Sequence, residues 1–192
     1  MENIAHGIYQ FKVTLSDSVP AIWRRIQVKD GSLDTFHEQL QLAMGWTNSH
    51  LHRFRIENRL FCSPEQLEYH DDDSRCEDSS SVLLNKLLAG KHDGFRFEYE
   101  YDFGDCWRHI VEFEAVGSHE AGVRYPRCLA GARACPPEDC GGTHGYAQLL
   151  QILQDPTNVQ YADMRRWAGR RFDPEAFDAD KTTRRMQRGL RK

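Results

Sequence analysis

Residues 95–115 read FRFEYEYDFGDCWRHIVEFEA, and their pattern decides the fold. Phe95, Phe97, Tyr99 and Tyr101 alternate with Arg96, Glu98, Glu100 and Asp102; then Trp107, His109, Val111 and Phe113 alternate with Arg108, Ile110, Glu112 and Glu114. A period of two with aromatics on one face marks half-buried strands, and Phe103-Gly104-Asp105 supplies the turn of a long β-hairpin. The same alternation appears upstream. In IYQFKVTL, residues 8–15, Tyr9, Phe11, Val13 and Leu15 share a face. After Ser16-Asp17-Ser18 and Pro20, AIWRRIQV sets Ile22, Arg24, Ile26 and Val28 opposite Trp23, Arg25 and Gln27, which predicts a second hairpin. Between the hairpins, Ser32 is placed to cap a helix of about twelve residues carrying Leu33, Phe36, Leu40, Ala43 and Met44 at spacings of three and four, ended by Gly45. His50, His52, Phe54 and Ile56 then fall on one side of an extended segment.

Downstream the character changes. Residues 63–80 are rich in Asp, Glu and Ser and read as an exposed acidic loop, with Cys62 and Cys76 at its flanks. Val82, Leu83, Leu84, Leu87 and Leu88 suggest a helix closed by Gly90. Residues 125–145 read as a loop dense in Cys, Pro and Gly, followed by helical patterns around 146–154, 158–168 and 174–188. With no regular βαβ alternation, the expectation is an α+β fold: a mixed, largely antiparallel sheet with a long β-hairpin, interspersed helices, a Cys-rich loop and a helical C-terminal segment. One domain is expected over 1–192, with a core at about 6–145 and a helical extension at about 146–192.

The chain has 192 residues and a net charge of −4, which excludes coating nucleic acid by bulk charge. No run approaches the ~18 to 20 apolar residues of a membrane span, so no membrane partner is expected. The opening MENIAHGIYQ lacks a basic region followed by an apolar run, so a cytoplasmic location is expected. In a reducing compartment the six cysteines are expected to be buried, metal-bound or reactive rather than paired.

Cys128, Cys135 and Cys140 are the main candidate for chemistry. Three thiolates in a loop with little regular structure suit a structural Zn²⁺ site, since metal bonds can replace a missing apolar core. His109, on the inward face of the hairpin leading into the loop, is the preferred fourth ligand; His144 is the other. The plainer reading is three small buried hydrophobes. A third reading, a cysteine nucleophile with His109 as base, fits a cluster of three thiols poorly. Cys62, Cys76 and Cys106 read as incidental. His50 and His52 share a face and could bind a metal or act as acid and base, although mutual hydrogen bonding in a core is commoner. Asp102 and Asp105 suit backbone capping at the hairpin turn, and Glu138 and Asp139 either capping or a hard cation. His50-x-x-Arg53 matches a fragment of a tyrosine-recombinase site, but its surroundings are strand-rich and the remaining residues of such a site are not recognisable. No P-loop, G-x-S-x-G, H-E-x-x-H or dinucleotide fingerprint occurs. Lys181, Arg184, Arg185, Arg188, Arg191 and Lys192 form a basic tail without an acid.

Four segments together resemble the plasmid pRiA4b ORF-3-like family: PAIWRRIQV at 20–28, FHEQLQLAMGW at 36–46 followed by HLHRF at 50–54, YEYDFGDCWRH at 99–109, and YPRCLAGARACPPEDCGG at 125–142. The resemblance covers about residues 6–180. It implies one α+β domain and an association with mobile elements, since members include insertion-sequence passenger proteins labelled TnpR-like; it supplies no substrate. Matching positions include Trp23, Arg24, Arg25, His37, Trp46, His50, His52 and Phe54, then Tyr101, Asp102, Gly104, Asp105, Trp107 and His109. Cys128, Cys135 through Cys140 and Gly141 complete the match. Cys106 departs from it, standing where a small residue such as Gly or Ser is expected.

Three functional readings follow. The leading one is a non-enzymatic binding module whose loop is tied to the hairpin by structural Zn²⁺ through Cys128, Cys135, Cys140 and His109. The second is an accessory nucleic-acid-binding protein using Arg24, Arg25, Arg53, Arg184, Arg185 and Arg188 against phosphates, with DNA or a protein as partner. The third is a metal-dependent hydrolase with Asp102, Asp105 or Glu138 as base.

Overall fold

The computed structural model describes residues 7–69 and 76–190. One eight-stranded sheet organises the described chain, in the order β5-β4-β3-β6-β7-β1-β2-β8. Its strands are β1 (Ile8–Leu15), β2 (Trp23–Lys29), β3 (His52–Ile56), β4 (Arg59–Cys62), β5 (Cys76–Asp78), β6 (Arg96–Tyr101), β7 (Trp107–Gly117) and β8 (Arg127–Ala132). All neighbours pair antiparallel except β4 and β5. The expected mixed, largely antiparallel α+β fold is therefore present. Both predicted hairpins form: Tyr101 faces Trp107 across the β6–β7 turn, and Thr14 faces Trp23 across the β1–β2 turn.

The alternation read from sequence is the burial pattern observed. Phe11, Val13, Ile26, Val28, Phe97, Tyr99, Trp107, His109 and Val111 are buried, and helix α1 (Leu33–Met44) covers that face. Phe36 of α1 packs on Phe11 with ring centroids 4.7 Å apart. The helix begins and ends where expected: Ser32 accepts a hydrogen bond from the Thr35 N–H, and Gly45 closes it at φ 107°.

Three stretches differ from expectation. The acidic stretch holds α2 (Pro64–Tyr69), β5 and a 3₁₀ turn (Ser79–Ser81); its Asp71, Asp72, Asp73 and Arg75 lie outside the described residues. Cys62 and Cys76, read as incidental and unpaired, form a disulfide, because the parallel pairing of β4 with β5 sets their Cα atoms 5.9 Å apart. The loop read over 125–145 contains β8, which adds to the edge strand β2 through Arg127, Cys128, Ala130, Gly131 and Ala132. RCLAGA has no polar–apolar alternation, so nothing local announced a strand. The helix expected over 82–88 is the single turn α3 (Leu84–Leu87). The C-terminal helices are α4 (Gly142–Gln154), α5 (Tyr161–Trp167) and α6 (Ala179–Arg188), with α6 packed on β8 and α1. No described helix is long and apolar enough to cross a membrane.

Candidate metal centre

Two loops are welded together at one end of the sheet. Asp102 opens the β6–β7 turn at φ 57°, in the left-handed region that Asp tolerates. Its Oδ1 accepts hydrogen bonds from Gly104 N (2.9 Å) and Asp105 N (3.3 Å), the capping role expected of it. Asp105 in turn accepts from Gly141 N through Oδ2 at 3.2 Å. The Cys loop approaches so closely that a Cβ on Gly142 would stand 2.5 Å from the Asp105 carbonyl oxygen. These contacts hold the Cys loop against the hairpin turn.

The close approach carries Asp139 to Asp102 and to His50, two residues before β3. His50 Nε2 lies 3.1 Å from Asp139 Oδ1 and 3.6 Å from Asp102 Oδ2. Neither contact has hydrogen-bonding geometry, and this nitrogen is shielded from water without a hydrogen bond. Among the described residues, His50, Asp102 and Asp139 form the one group of three or more His, Cys, Asp or Glu whose ligand atoms all lie within 4.8 Å of one another. They are an imidazole and two carboxylates from three separate segments, the donor types that hold a divalent cation.

His50 also lines a cleft of about 510 Å³ with His37, His52, Asn48, Ser49 and Glu65. The His37 and His52 rings stack at 3.4 Å and 5°. His37 Nδ1 meets Tyr99 Oη at 2.8 Å and its Nε2 meets Asn48 Oδ1 at 2.7 Å, while His52 Nε2 has no partner. Burial holds His37 down at about 4, and burial followed by the neighbouring His37 charge holds His52 at about 2, so both imidazoles are neutral near pH 7.

The leading zinc set does not converge here. Cys128, Cys135, Cys140 and His109 fail to gather within the 4.8 Å that unites the other group. Cys128 was drawn into β8 and, like Cys135, lies in the field of Arg24 and Arg185. Cys140 contacts its own loop, and His144 bonds Gln148 on the exposed face of α4. Burial pushes the thiols up, Cys128 to about 11 and Cys135 and Cys140 to about 12, so each is a protonated thiol at neutral pH. His109 is fully buried, its Nδ1 is 3.3 Å from the Tyr99 carbonyl oxygen, and its ring meets Trp46 edge-on.

The nucleic-acid candidates are mostly engaged within the protein. Arg24, on the inward face as its alternation required, donates to the carbonyls of Trp23, Ala43, Ala132 and Arg133. Arg185 donates to Leu42 and Ala43. Arg25 is held by Glu114 and Arg53 by Glu100; Arg184 and Arg188 are exposed. Of the hydrolase bases, Glu138 accepts from Tyr101 Oη at 2.6 Å and from Thr47. Arg191 and Lys192 lie outside the described residues.

In the sequence His50, Asp102 and Asp139 lie far apart, and no spacing joins them into a common site. The signal available was that all three fall in the segments carrying the family resemblance.

Fold and site define an α+β protein with a single-sheet scaffold and a His–Asp–Asp cluster that could hold a metal ion where three loops meet. The chain belongs to the plasmid pRiA4b ORF-3-like family, whose model matches residues 7–181. It is similar to an uncharacterized protein, y4hQ, of Sinorhizobium fredii (strain NBRC 101917 / NGR234), with 38% identity over 165 residues, 85% of this chain and 81% of the relative. It is also similar to a protein of unknown function from Methanosarcina mazei Go1 in its crystal structure. That match has a TM-score of 0.80 and 32% identity, covering 91% of this chain and 97% of the other.

Proposed function

We propose that this protein is a divalent-metal-binding module whose cation is held by His50 Nε2, Asp102 and Asp139. The observation that carries the reading is His50 Nε2, shielded from water and without a hydrogen bond, aimed between two carboxylates. One imidazole and two carboxylates favour Zn²⁺ or Mn²⁺ over a soft thiolate-seeking ion. Three protein ligands, with Asp139 72% exposed, leave coordination positions for water or a ligand entering from the cleft. Asp102 is suited to this role because its Oδ1 is committed to the turn, which fixes the orientation of Oδ2.

Titration calorimetry of the chelator-treated protein with ZnCl₂ and MnCl₂ tests this reading. The expected result is one site per chain, weakened at least about tenfold, or about 1.4 kcal/mol, in Asp139→Asn and in His50→Ala. Cys135→Ser should bind as the parent does. Binding that survives His50→Ala with Asp139→Asn, or that disappears in Cys135→Ser alone, would overturn the assignment.

The third reading, metal-assisted hydrolysis, gains one observation: the open side of the cluster adjoins the cleft lined by the neutral His37–His52 pair. A metal-bound water there would be the nucleophile. Hydrolysis of an activated ester that needs added metal and is lost in Asp139→Asn would support it.

A further inference from the structure

A second cavity, of about 610 Å³, lies between the C-terminal end of α1, the Cys loop and the arm running from α5 into α6. Arg24, Arg171, Lys181 and Arg185 line it, and Phe172 and Phe177 contribute apolar wall. Arg24 is 2% exposed and Arg185 is partly buried, yet neither has a carboxylate within 4 Å among the described residues. Their hydrogen bonds go to backbone carbonyls, and both donate to the carbonyl of Ala43, so two like charges are held side by side. Carbonyls at the end of α1 offset part of this charge through the helix dipole, but they amount to roughly half an elementary charge. Buried charges are ordinarily paired.

The remaining groups of the cavity sharpen the point. Arg171 and Lys181 are exposed at the cavity, and among the described residues their side chains make no hydrogen bond or ion pair. The carboxylates that also line it are committed elsewhere: Glu138 to Tyr101 and Thr47, Asp178 to the N-terminus of α6 through Lys181 N, and Asp173 to Glu175 N. The neighbouring Cys128 and Cys135 are neutral thiols. Arg24 uses four of its five N–H donors on carbonyls; Arg185 uses two and keeps three.

We propose that this cavity binds a phosphate-bearing small molecule, with Arg185, Arg171 and Lys181 contacting the phosphate and Arg24 supplying fixed positive charge behind them. Glu138, Asp173 and Asp178 keep their charge but none lies within 4 Å of Arg24 or Arg185, so a multiply charged anion would supply the direct partner these guanidiniums lack, and guanidinium forks match phosphate oxygens. The volume falls within the ~300 to 1,000 Å³ of small-ligand sites, and Phe172 and Phe177 offer apolar surface to a ring carried by the phosphate. The site is independent of the His50 cluster and stands whether or not that cluster binds metal.

Calorimetry of the full chain in chelator, with pyrophosphate and with ADP as probes, tests the proposal. The expected result is one saturable site per chain that weakens at least tenfold for both probes in Arg171→Gln/Lys181→Gln, two exposed positions whose loss leaves the fold intact. Asp139→Asn should leave both affinities unchanged. ADP binding tenfold or more tighter than pyrophosphate identifies a nucleotide; equal affinities identify phosphate alone. No binding of either probe up to about 1 mM, or affinities indifferent to Arg171→Gln/Lys181→Gln, would overturn it.

Discussion

His109 shows what one buried imidazole does to this molecule. It is fully buried, and burial lowers it from an ordinary 6.5 to about 4 against weaker support from the Tyr99 and Trp107 backbone. The folded chain therefore holds it neutral while the unfolded chain takes up a proton below about 6.5. Its contribution to stability is complete above that value, declines as pH falls through the window from about 6.5 to about 4, and is flat below. The full decline is on the order of 3 kcal/mol, from 1.36 kcal/mol per unit. Urea unfolding of His109→Gln across this window should show a shallower fall than the parent; equal slopes would assign the acid sensitivity to other groups. The metal prediction belongs to the same scale, since His50 and Asp139 act through single atoms.

At the scale of elements, the first turn of α4 controls the site. Gly145 lies inside a helix, where alanine usually gains about 1 kcal/mol over glycine. Here a Cβ would stand 1.9 Å from the Cys140 carbonyl oxygen, which is backbone and cannot step aside. Gly145→Ala should therefore destabilise the protein by about 1 to 3 kcal/mol, reversing the sign of the propensity, and should weaken metal binding because Cys140 follows Asp139 directly. Thermal melts with and without Zn²⁺ would check both effects; a stabilised variant would mean that the Cys loop gives way freely. The elements legible in sequence were those whose pattern is local. Both hairpins and α1 announce themselves by alternation, by threefold and fourfold spacing, and by Ser32 and Gly45 at its ends. β8 and β5 do not, because each is a strand only by virtue of the edge it joins.

For the whole molecule, the Cys62–Cys76 disulfide joins positions 14 residues apart and holds the parallel edge strand β5 on β4. Closing a loop of that length is worth about 3 kcal/mol through the unfolded chain. Reduction, or Cys62→Ser with Cys76→Ser, should lower the unfolding free energy by about 2 to 3 kcal/mol in urea titration; no change would show that β5 contributes nothing to the cooperative fold. At the other edge the C-terminal arm closes over β8. Phe177 covers Gly131 so tightly that a Cβ there would meet its ring at 2.6 Å, and the same ring lies 4.6 Å from the Arg24 guanidinium. The arm therefore walls the basic cavity as well as extending the core.

The sequence by itself determined the strands that alternate, the helix that covers them, the inward placement of Arg24 and His109, and the capping role of Asp102. Each follows from spacing along the chain and the physics of burying one face of an element. Only the tertiary structure decided that ligand atoms of His50, Asp102 and Asp139 come within 4.8 Å of one another while those of Cys128, Cys135, Cys140 and His109 form no such group, and that Cys62 meets Cys76. It also turned Arg24 and Arg185, which suited phosphate on composition, into neighbours on the carbonyls of α1. Ligand convergence depends on strand order and on how closely two loops approach, and here that approach is set by Gly142 against Asp105. Such a contact spans 37 residues of chain and leaves no periodicity along it.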